Sequence, residues 1–350
     1  MSEPALARRI GPDPSDMTAR VLGLPRQLRE AWALAAGGPD LLAGARPSCI
    51  HVVGMGGSAI GGDFLRSLAD VQGSVPVEVV RGYELPQAAG PGSFAFFVSY
   101  SGGTEETLAA WEDARRRRVP SAAITSGGTL ESLAREAGRP VLRIPGGSPP
   151  RAALAWTSIP LFHALGRAGL LAIGAEDVEA AAAAGERILA ASGPGGPREP
   201  ALAEWAKQAA AGLPIVYAAE RPHRATALRW VGQLHENGKT LSHAAVFPEQ
   251  NHNEIVAWEV GGPGVSIGCI ALLDDPAVHP RVRRRLDLVA ARVEEAGRPL
   301  VRFRPEGEGL LARVYSLVLL GDLASLHVAA ARGVDPTPVA SIDRLKRELA

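Results

Sequence analysis

The sequence predicts an α/β protein made of two mainly parallel sheets, each flanked by helices in a three-layer αβα arrangement. Three observations carry that prediction. Short apolar runs at 49–53, 94–99 and 300–303 have the length and continuity of strands buried on both faces. They alternate with longer segments of helical periodicity, the grammar of a doubly wound fold. The 350 residues suffice for about two domains, and a turn-rich Ser192-Gly-Pro-Gly-Gly-Pro197 lies near the middle. The expected division is 1–170, with leading helices, and 171–350, with a helical tail.

Taken in order, Ser15-Asp16-Met17 opens a helical stretch to about Ala36 with a break at Pro25; Leu28, Trp32 and Ala35 share one face. Strand 49–53 feeds the glycine-rich 54–63, followed by helix over 64–69. Strand 75–80 comes next. Strand 94–99 ends in Ser99-Tyr-Ser-Gly-Gly-Thr-Glu-Glu-Thr107 and a helix to about Arg117. Strand 122–125 precedes a helix capped by Ser126 or Thr129. Strand 141–144 and helix 152–166 close the first half. The second half repeats the pattern more loosely, with helix 176–192, strand 214–217, helix 224–236, strand 265–273, helix 280–295 and strand 300–303. A long apolar helix over 310–332 and a tail helix over 341–349, capped by Ser341, complete it.

Lys+Arg and Asp+Glu both total 37, so the basic excess of a nucleic-acid binder is missing. Cys49 and Cys269 sit in apolar strand-like runs and read as buried inert thiols, not a disulfide framework. Residues 1–25 hold no apolar run long enough for a signal peptide or a membrane span. A cytoplasmic protein with neither a membrane nor a nucleic-acid partner is expected.

Four constellations carry chemistry. A strand, then Gly54-x-Gly56-Gly57-Ser58, then a helix aims free N–H groups and a positive helix end at one spot, an anion cradle. A dinucleotide site is the alternative, because Gly54, Gly56 and Ala59 fit G-x-G-x-x-A, but the next strand ends at Arg81-Gly82-Tyr83 instead of an acid. A plain structural turn is another. Ser99, Ser101 and Thr104 supply three hydroxyls at a strand-to-helix junction, which suits a phosphate monoester; ordinary N-capping needs only one. Arg151, held by Pro149 and Pro150, could fork onto a phosphate or sugar hydroxyl or simply be solvated.

The fourth is the region from Glu236 to His252. Gly238 reads as the residue just past a helix end, so Glu236 lies in the last turn, where the negative end of the helix suits a proton-accepting carboxylate. A new helix starting at Pro248 or Glu249 puts His252 in its first turn, where neutral imidazole is favoured. A solvated surface acid is the bland reading of Glu236. His235, Glu236, His243, Glu249, His252 and Glu254 also cluster in sequence, yet no metal-ligand spacing joins them. No metal and no cofactor are expected.

These residues resemble the bifunctional phosphoglucose/phosphomannose isomerase family of the sugar isomerase (SIS) domain superfamily. The resemblance runs through 54–63, 99–107, Pro150-Arg-Ala-Ala-Leu154, Glu236-Asn-Gly-Lys239, Asn251-His-Asn-Glu-Ile255 and the tail from Arg332 to Lys346. It implies two SIS-type domains in a homodimer, and a hexose 6-phosphate substrate held by Gly56, Gly57, Ser58, Ser99, Ser101 and Thr104. It implies Arg151 near the reacting carbons and Glu236 as the base moving a proton between C2 and C1 through a cis-enediol. His252, arriving from the partner subunit in related enzymes, and Lys346 would help open the sugar ring. The chain departs from the family pattern at Ala155, where a proline is expected, and in the long segment 193–200. The rivals are a non-catalytic sugar-phosphate-binding regulatory module, a Rossmann-type oxidoreductase and an enzyme for another phosphosugar.

Overall fold

The computed structural model describes residues 9–259 and 266–349. These residues form two compact units, one comprising Leu24–Ala183 with Gly307–Ala312, the other comprising 9–23, 184–306 and 313–349.

In the first unit the strands are β1 (Ile50–Val53), β2 (Val77–Val80), β3 (Phe94–Ser99), β4 (Ser121–Thr125) and β5 (Val141–Arg143), all parallel in the order β2-β1-β3-β4-β5. β1, β3 and β4 are buried along their whole length, as their unbroken apolar runs require. Beneath them Phe97 meets Trp111 edge to face at 5.0 Å, within a cluster that includes Val53, Ala95, Ala110 and Leu130. Each large side chain buried there contributes roughly 1.5–3 kcal/mol.

The order reverses between β1 and β3, so a crevice opens outside their carboxyl ends, the place where such sheets bind ligands. Helix α3 (Gly56–Gln72) leaves β1 and helix α4 (Glu105–Arg116) leaves β3. The expected start of the first near Phe64 is too late: Gly57, Gly61 and Gly62 are helical. Their cost of about 1 kcal/mol each relative to alanine is offset by close packing. Helix α5 (Gly128–Glu136) follows β4, and neither Ser126 nor Thr129 caps it. The Ser126 hydroxyl donates instead to Tyr100 O at 2.6 Å. Helix α6 (Leu154–Arg167) follows a 3-10 turn at Pro150–Ala152.

The leading helices α1 (Met17–Leu22) and α2 (Leu24–Ala36) part at Gly23, not Pro25. Proline is tolerated in a first turn, where its missing N–H has no partner to lose. The carboxylate of Asp13 accepts from Met17 N at 2.8 Å and Thr18 N at 2.6 Å and so caps α1, while Asp16 at the N-cap position makes no side-chain capping bond.

In the second unit β6 (Leu213–Ala219), β7 (His243–Phe247), β8 (Ile267–Leu273) and β9 (Leu300–Phe303) form a parallel sheet in the order β7-β6-β8-β9. The expected strand start at Val265 lies outside the described residues. Helices α7 (Ala175–Ser192), α8 (Glu199–Ala210), α9 (Glu220–Glu236), α10 (Pro280–Glu295), α11 (Leu310–Ala331) and α12 (Ala340–Leu349) complete the chain. α11 is long and apolar enough to cross a membrane, but 89% of that apolar window is buried, which makes it a core helix. Ser341 lies inside α12 and does not cap it; Val339 O accepts from Ile342 N and Asp343 N.

The second sheet has its own switch point, between β6 and β8. Charge fills it. His223 Nε2 lies 2.8 Å from Asp275 Oδ2, Arg313 Nε donates to the same oxygen at 3.1 Å, and Ala277 N donates to Oδ1 at 2.8 Å. Burial pushes the Asp275 carboxyl up, but these hydrogen bonds and the nearby Arg313 guanidinium outweigh it and bring its pKa to about 2. A folded-state value below the unfolded one gives stability that is present above about pH 4 and lost as pH falls toward 2, of order 2 kcal/mol. In thermal melts, the gap between wild type and Asp275→Asn should therefore shrink from about pH 5 downward. A gap constant down to the acid limit would contradict the assignment.

Candidate active site

The first switch point gathers the glycine and serine loops. Tyr100 N donates to Ser58 Oγ at 3.1 Å, joining the loop after β1 to the loop after β3. Ser99 Oγ lies 2.9 Å from Thr104 Oγ1 and accepts from Gly102 N at 3.1 Å. Ser101 Oγ accepts from Gly103 N at 3.3 Å. Ser99 is buried and shapes the loop, while Ser101 and Gly56 are exposed. Because Ser58 and Ser101 accept from the backbone, each keeps its own O–H to donate outward, as a phosphate oxygen requires. Thr104 is the N-cap of α4 but its side chain makes no capping bond; its hydroxyl pairs with Ser99, and one of the two keeps an O–H to give elsewhere. Simple capping therefore does not explain these hydroxyls. The N-termini of α3 and α4 add their unpaired N–H groups to the same crevice.

Arg151 belongs to this unit too. It sits in the Pro150–Ala152 turn and is 3% exposed, so the solvated reading fails. The close approach of the turn to α3 explains Gly57: a Cβ there would lie 2.9 Å from Pro150 C and 3.0 Å from Arg151 N. Ser148 N donates to Tyr100 Oη at 3.0 Å, tying the segment before Arg151 to the serine loop.

The second unit holds Glu236, His252 and Lys346. Glu236 is the last residue of α9, half-buried, with Asn237 as C-cap. Gly238 follows as expected, although the left-handed φ of 50° falls on Lys239. Several hydrogen bonds hold the helix end. Arg229 makes a two-pronged pair with Asp322, Nε to Oδ1 at 3.1 Å and Nη2 to Oδ2 at 2.9 Å. Gln233 Nε2 donates to Asp322 Oδ1 at 2.9 Å, Trp230 Nε1 to Leu317 O at 2.7 Å, and Asn237 Nδ2 to Ser325 Oγ at 3.0 Å. These four α9 positions share one helical face, which clamps α9 to α11 and leaves Glu236 at its edge. The Lys239 ammonium donates to the carbonyls of Glu236, Pro336 and Pro338, linking the helix end to the start of the tail.

His252 departs from the expectation. No α-helix begins at Pro248; Glu249–His252 is a single 3-10 turn and His252 is its last residue. The chain breaks at Asn253 (φ −148°, ψ −73°), so the helix-end argument for a neutral imidazole does not apply. The ring is exposed and forms no hydrogen bond among the described residues. Lys346 lies on α12, where every described residue is exposed or nearly so, and it too forms no ion pair among the described residues.

Sequence reasoning missed β7, and with it a network behind His252 formed by Tyr217, His243, Glu254 and Trp258. A cleft of about 260 Å³ beside β7 is lined by Arg224, His243, Gln250 and Glu254 among others. The only prior signal was the sequence cluster of acids and histidines, which drew a metal reading; among the described residues no three such side chains form a metal-binding group.

Two parallel sheets, each with a switch point and the first with glycine and hydroxyl loops gathered at it, define a protein of two SIS domains. The SIS domain family matches residues 45–172, and the bacterial phospho-glucose isomerase C-terminal SIS domain family matches 199–349. The bifunctional phosphoglucose/phosphomannose isomerase of Caldicellulosiruptor bescii is 35% identical over 95% of this chain and 99% of its own. The enzyme of the same name from Aquifex aeolicus is 33% identical over 85% of this chain and 88% of its own. The chain belongs to the bifunctional phosphoglucose/phosphomannose isomerase family. Among solved structures, a hypothetical protein of Thermus thermophilus superposes with TM-score 0.72 at 18% identity, covering 97% of this chain and 92% of that one. The tagatose-6-phosphate ketose/aldose isomerase of Escherichia coli superposes at 0.70 and 16%, covering 92% and 96%. These two likenesses speak to the fold.

Proposed function

We propose that this chain interconverts glucose 6-phosphate and mannose 6-phosphate with fructose 6-phosphate, without a metal. The observation that carries the reading is the cradle, where Ser58 and Ser101 retain outward O–H groups beside the N-termini of α3 and α4. In the proposed reaction Gly56, Gly57, Ser58, Ser99, Ser101 and Thr104 hold the phosphate. His252 and Lys346 assist ring opening. Glu236 takes the C2 proton of the open-chain aldose, the double bond forms between C1 and C2, and a proton passes from O2 to O1. Return of the carried proton to C1 yields the ketose, so no electrons enter or leave. Arg151 offers charge to the enediol oxygens. Anchoring the remote phosphate positions the reacting carbons.

We further propose a homodimer in which His252 serves the partner subunit's site. Two features support it. The His252 ring is exposed and unbonded among the described residues. Ile342, Leu345 and Leu349 form an exposed apolar stripe on α12, at spacings that share one helical face.

Turnover is measured on both aldose phosphates with excess chelator present. Fructose 6-phosphate from both is the expected result. Turnover that requires added divalent metal overturns the metal-free mechanism. Binding of both sugars with no turnover identifies a regulatory sugar-phosphate protein instead.

A further inference from the structure

The segment carrying His252 has little structure of its own. It consists of two short 3-10 turns, Glu249–His252 and Glu254–Trp258, broken at Asn253. Turns this short make few and poorly aligned internal hydrogen bonds, so their placement depends on outside anchors. His252 provides none. Just before it, Arg285 Nη1 donates to Asn251 Oδ1 at a long 3.4 Å; the shorter anchors lie two and six residues on.

Glu254 is the central one. One carboxylate oxygen accepts from the Tyr217 hydroxyl at 2.6 Å, and the other lies 2.8 Å from His243 Nε2. Tyr217 comes from β6 and His243 from the neighbouring β7, so a single side chain fastens the segment across two strands of the sheet. Tyr217 is fully buried, stacks edge to face on Phe247 at 5.6 Å, and accepts from Trp258 Nε1 at 3.1 Å. Burial, reinforced by the Glu254 charge, raises the Tyr217 phenol, which keeps it a hydrogen-bond donor. Asn253 completes the brace: its Oδ1 accepts from Glu254 N, and its Nδ2 donates to Glu249 Oε1 at 3.1 Å, joining the turn that ends at His252 to the turn that follows.

We propose that Glu254 is the positioning residue for His252, acting through the Tyr217 and His243 hydrogen bonds and not by touching substrate. This rests on the reading of His252 as a ring-opening group. Steady-state kinetics on glucose 6-phosphate separate the possibilities, using wild type, Glu254→Gln, His252→Gln and the double variant. Glutamine keeps the volume of Glu254 but has one acceptor oxygen and no charge, so it cannot accept from both the Tyr217 hydroxyl and His243 Nε2. Glu254→Gln is expected to lower kcat about tenfold and His252→Gln about a hundredfold, with KM within about twofold of wild type for both. If Glu254 acts through His252, the double variant is no slower than His252→Gln alone. A double variant slowed by the product of the two single effects overturns the proposal, as does an unchanged kcat in Glu254→Gln. A slow Glu254→Gln beside a fully active His252→Gln also overturns it, and locates the fault in the role of His252. A wild type without turnover signals failure of the isomerase reading instead. Tyr217→Phe removes the donor but keeps the carboxylate. It is expected to show the same kcat loss and the same non-additivity with His252→Gln, and it serves if Glu254→Gln folds poorly.

Discussion

Glu236→Gln is expected to lower kcat on glucose 6-phosphate by about 10³-fold while KM stays within about threefold. Glutamine matches the size of glutamate but cannot take a proton, so it tests the chemistry and little else. Other side chains build the scaffold beneath Glu236: Arg229, Gln233, Trp230 and Asn237 hold α9 through Asp322, Leu317 and Ser325. The tie from Lys239 uses the backbone carbonyl of Glu236, which the substitution leaves in place. The same variant tests the shared site. Mixed after subunit exchange with His252→Gln at equal amounts, about half the dimers are heterodimers, and each of these rebuilds one intact site. Activity should return to roughly a quarter of the wild-type value. No recovery in proven heterodimers would place Glu236 and His252 of one chain in one site. Comparable activity in Glu236→Gln alone would remove it as the base.

Gly102→Ala should damage the cradle more than any other single methyl. Gly102 has φ +70°, which costs an alanine about 1 kcal/mol. Its Cβ would also lie 1.7 Å from Gly127 O and 3.0 Å from Thr125 Oγ1. The loops after β3 and β4 must then part, against the bonds Leu130 N to Gly102 O at 2.9 Å and Ser126 Oγ to Tyr100 O at 2.6 Å. The expected loss is about 2–4 kcal/mol of stability, read as a fall in Tm. Displacing Ser101 and Ser99 should also raise KM by more than about tenfold. Gly90→Ala is the control in the same unit, because its Cβ would meet no atom within 4 Å; its Tm and KM should stay at wild-type values. A Gly102→Ala protein with normal KM would mean that this loop does not hold the phosphate.

Strands whose neighbours cover both faces were readable from their residues. Phe94–Ser99 has the expected bounds, because burial on both faces leaves an unbroken apolar run. His243–Phe247 went unrecognised for the opposite reason. It is an edge strand, exposed at His243 and half-buried through Val246, with two alanines of low strand preference. The position of the hydroxyl-rich loop at the end of β3 was legible, since strand end, glycines and helix start are near neighbours in sequence. The capping roles expected of Ser126, Thr129 and Ser341 were not, since a hydroxyl takes whichever partner the fold presents, and Ser126 met Tyr100 O from another loop.

By itself the sequence determined the alternation of strands and helices, the place of both glycine and serine loops, and Glu236 at a helix end. These depend on periodicity and turn chemistry over a few residues. Only the tertiary structure decided what holds the chemistry in place. Tyr217 and Glu254 are 37 residues apart, His223 and Asp275 are 52 apart, and Arg229 and Asp322 are 93 apart. A hydrogen bond across such distances leaves no local pattern, and buried polar groups find their partners only when the sheets bring them together.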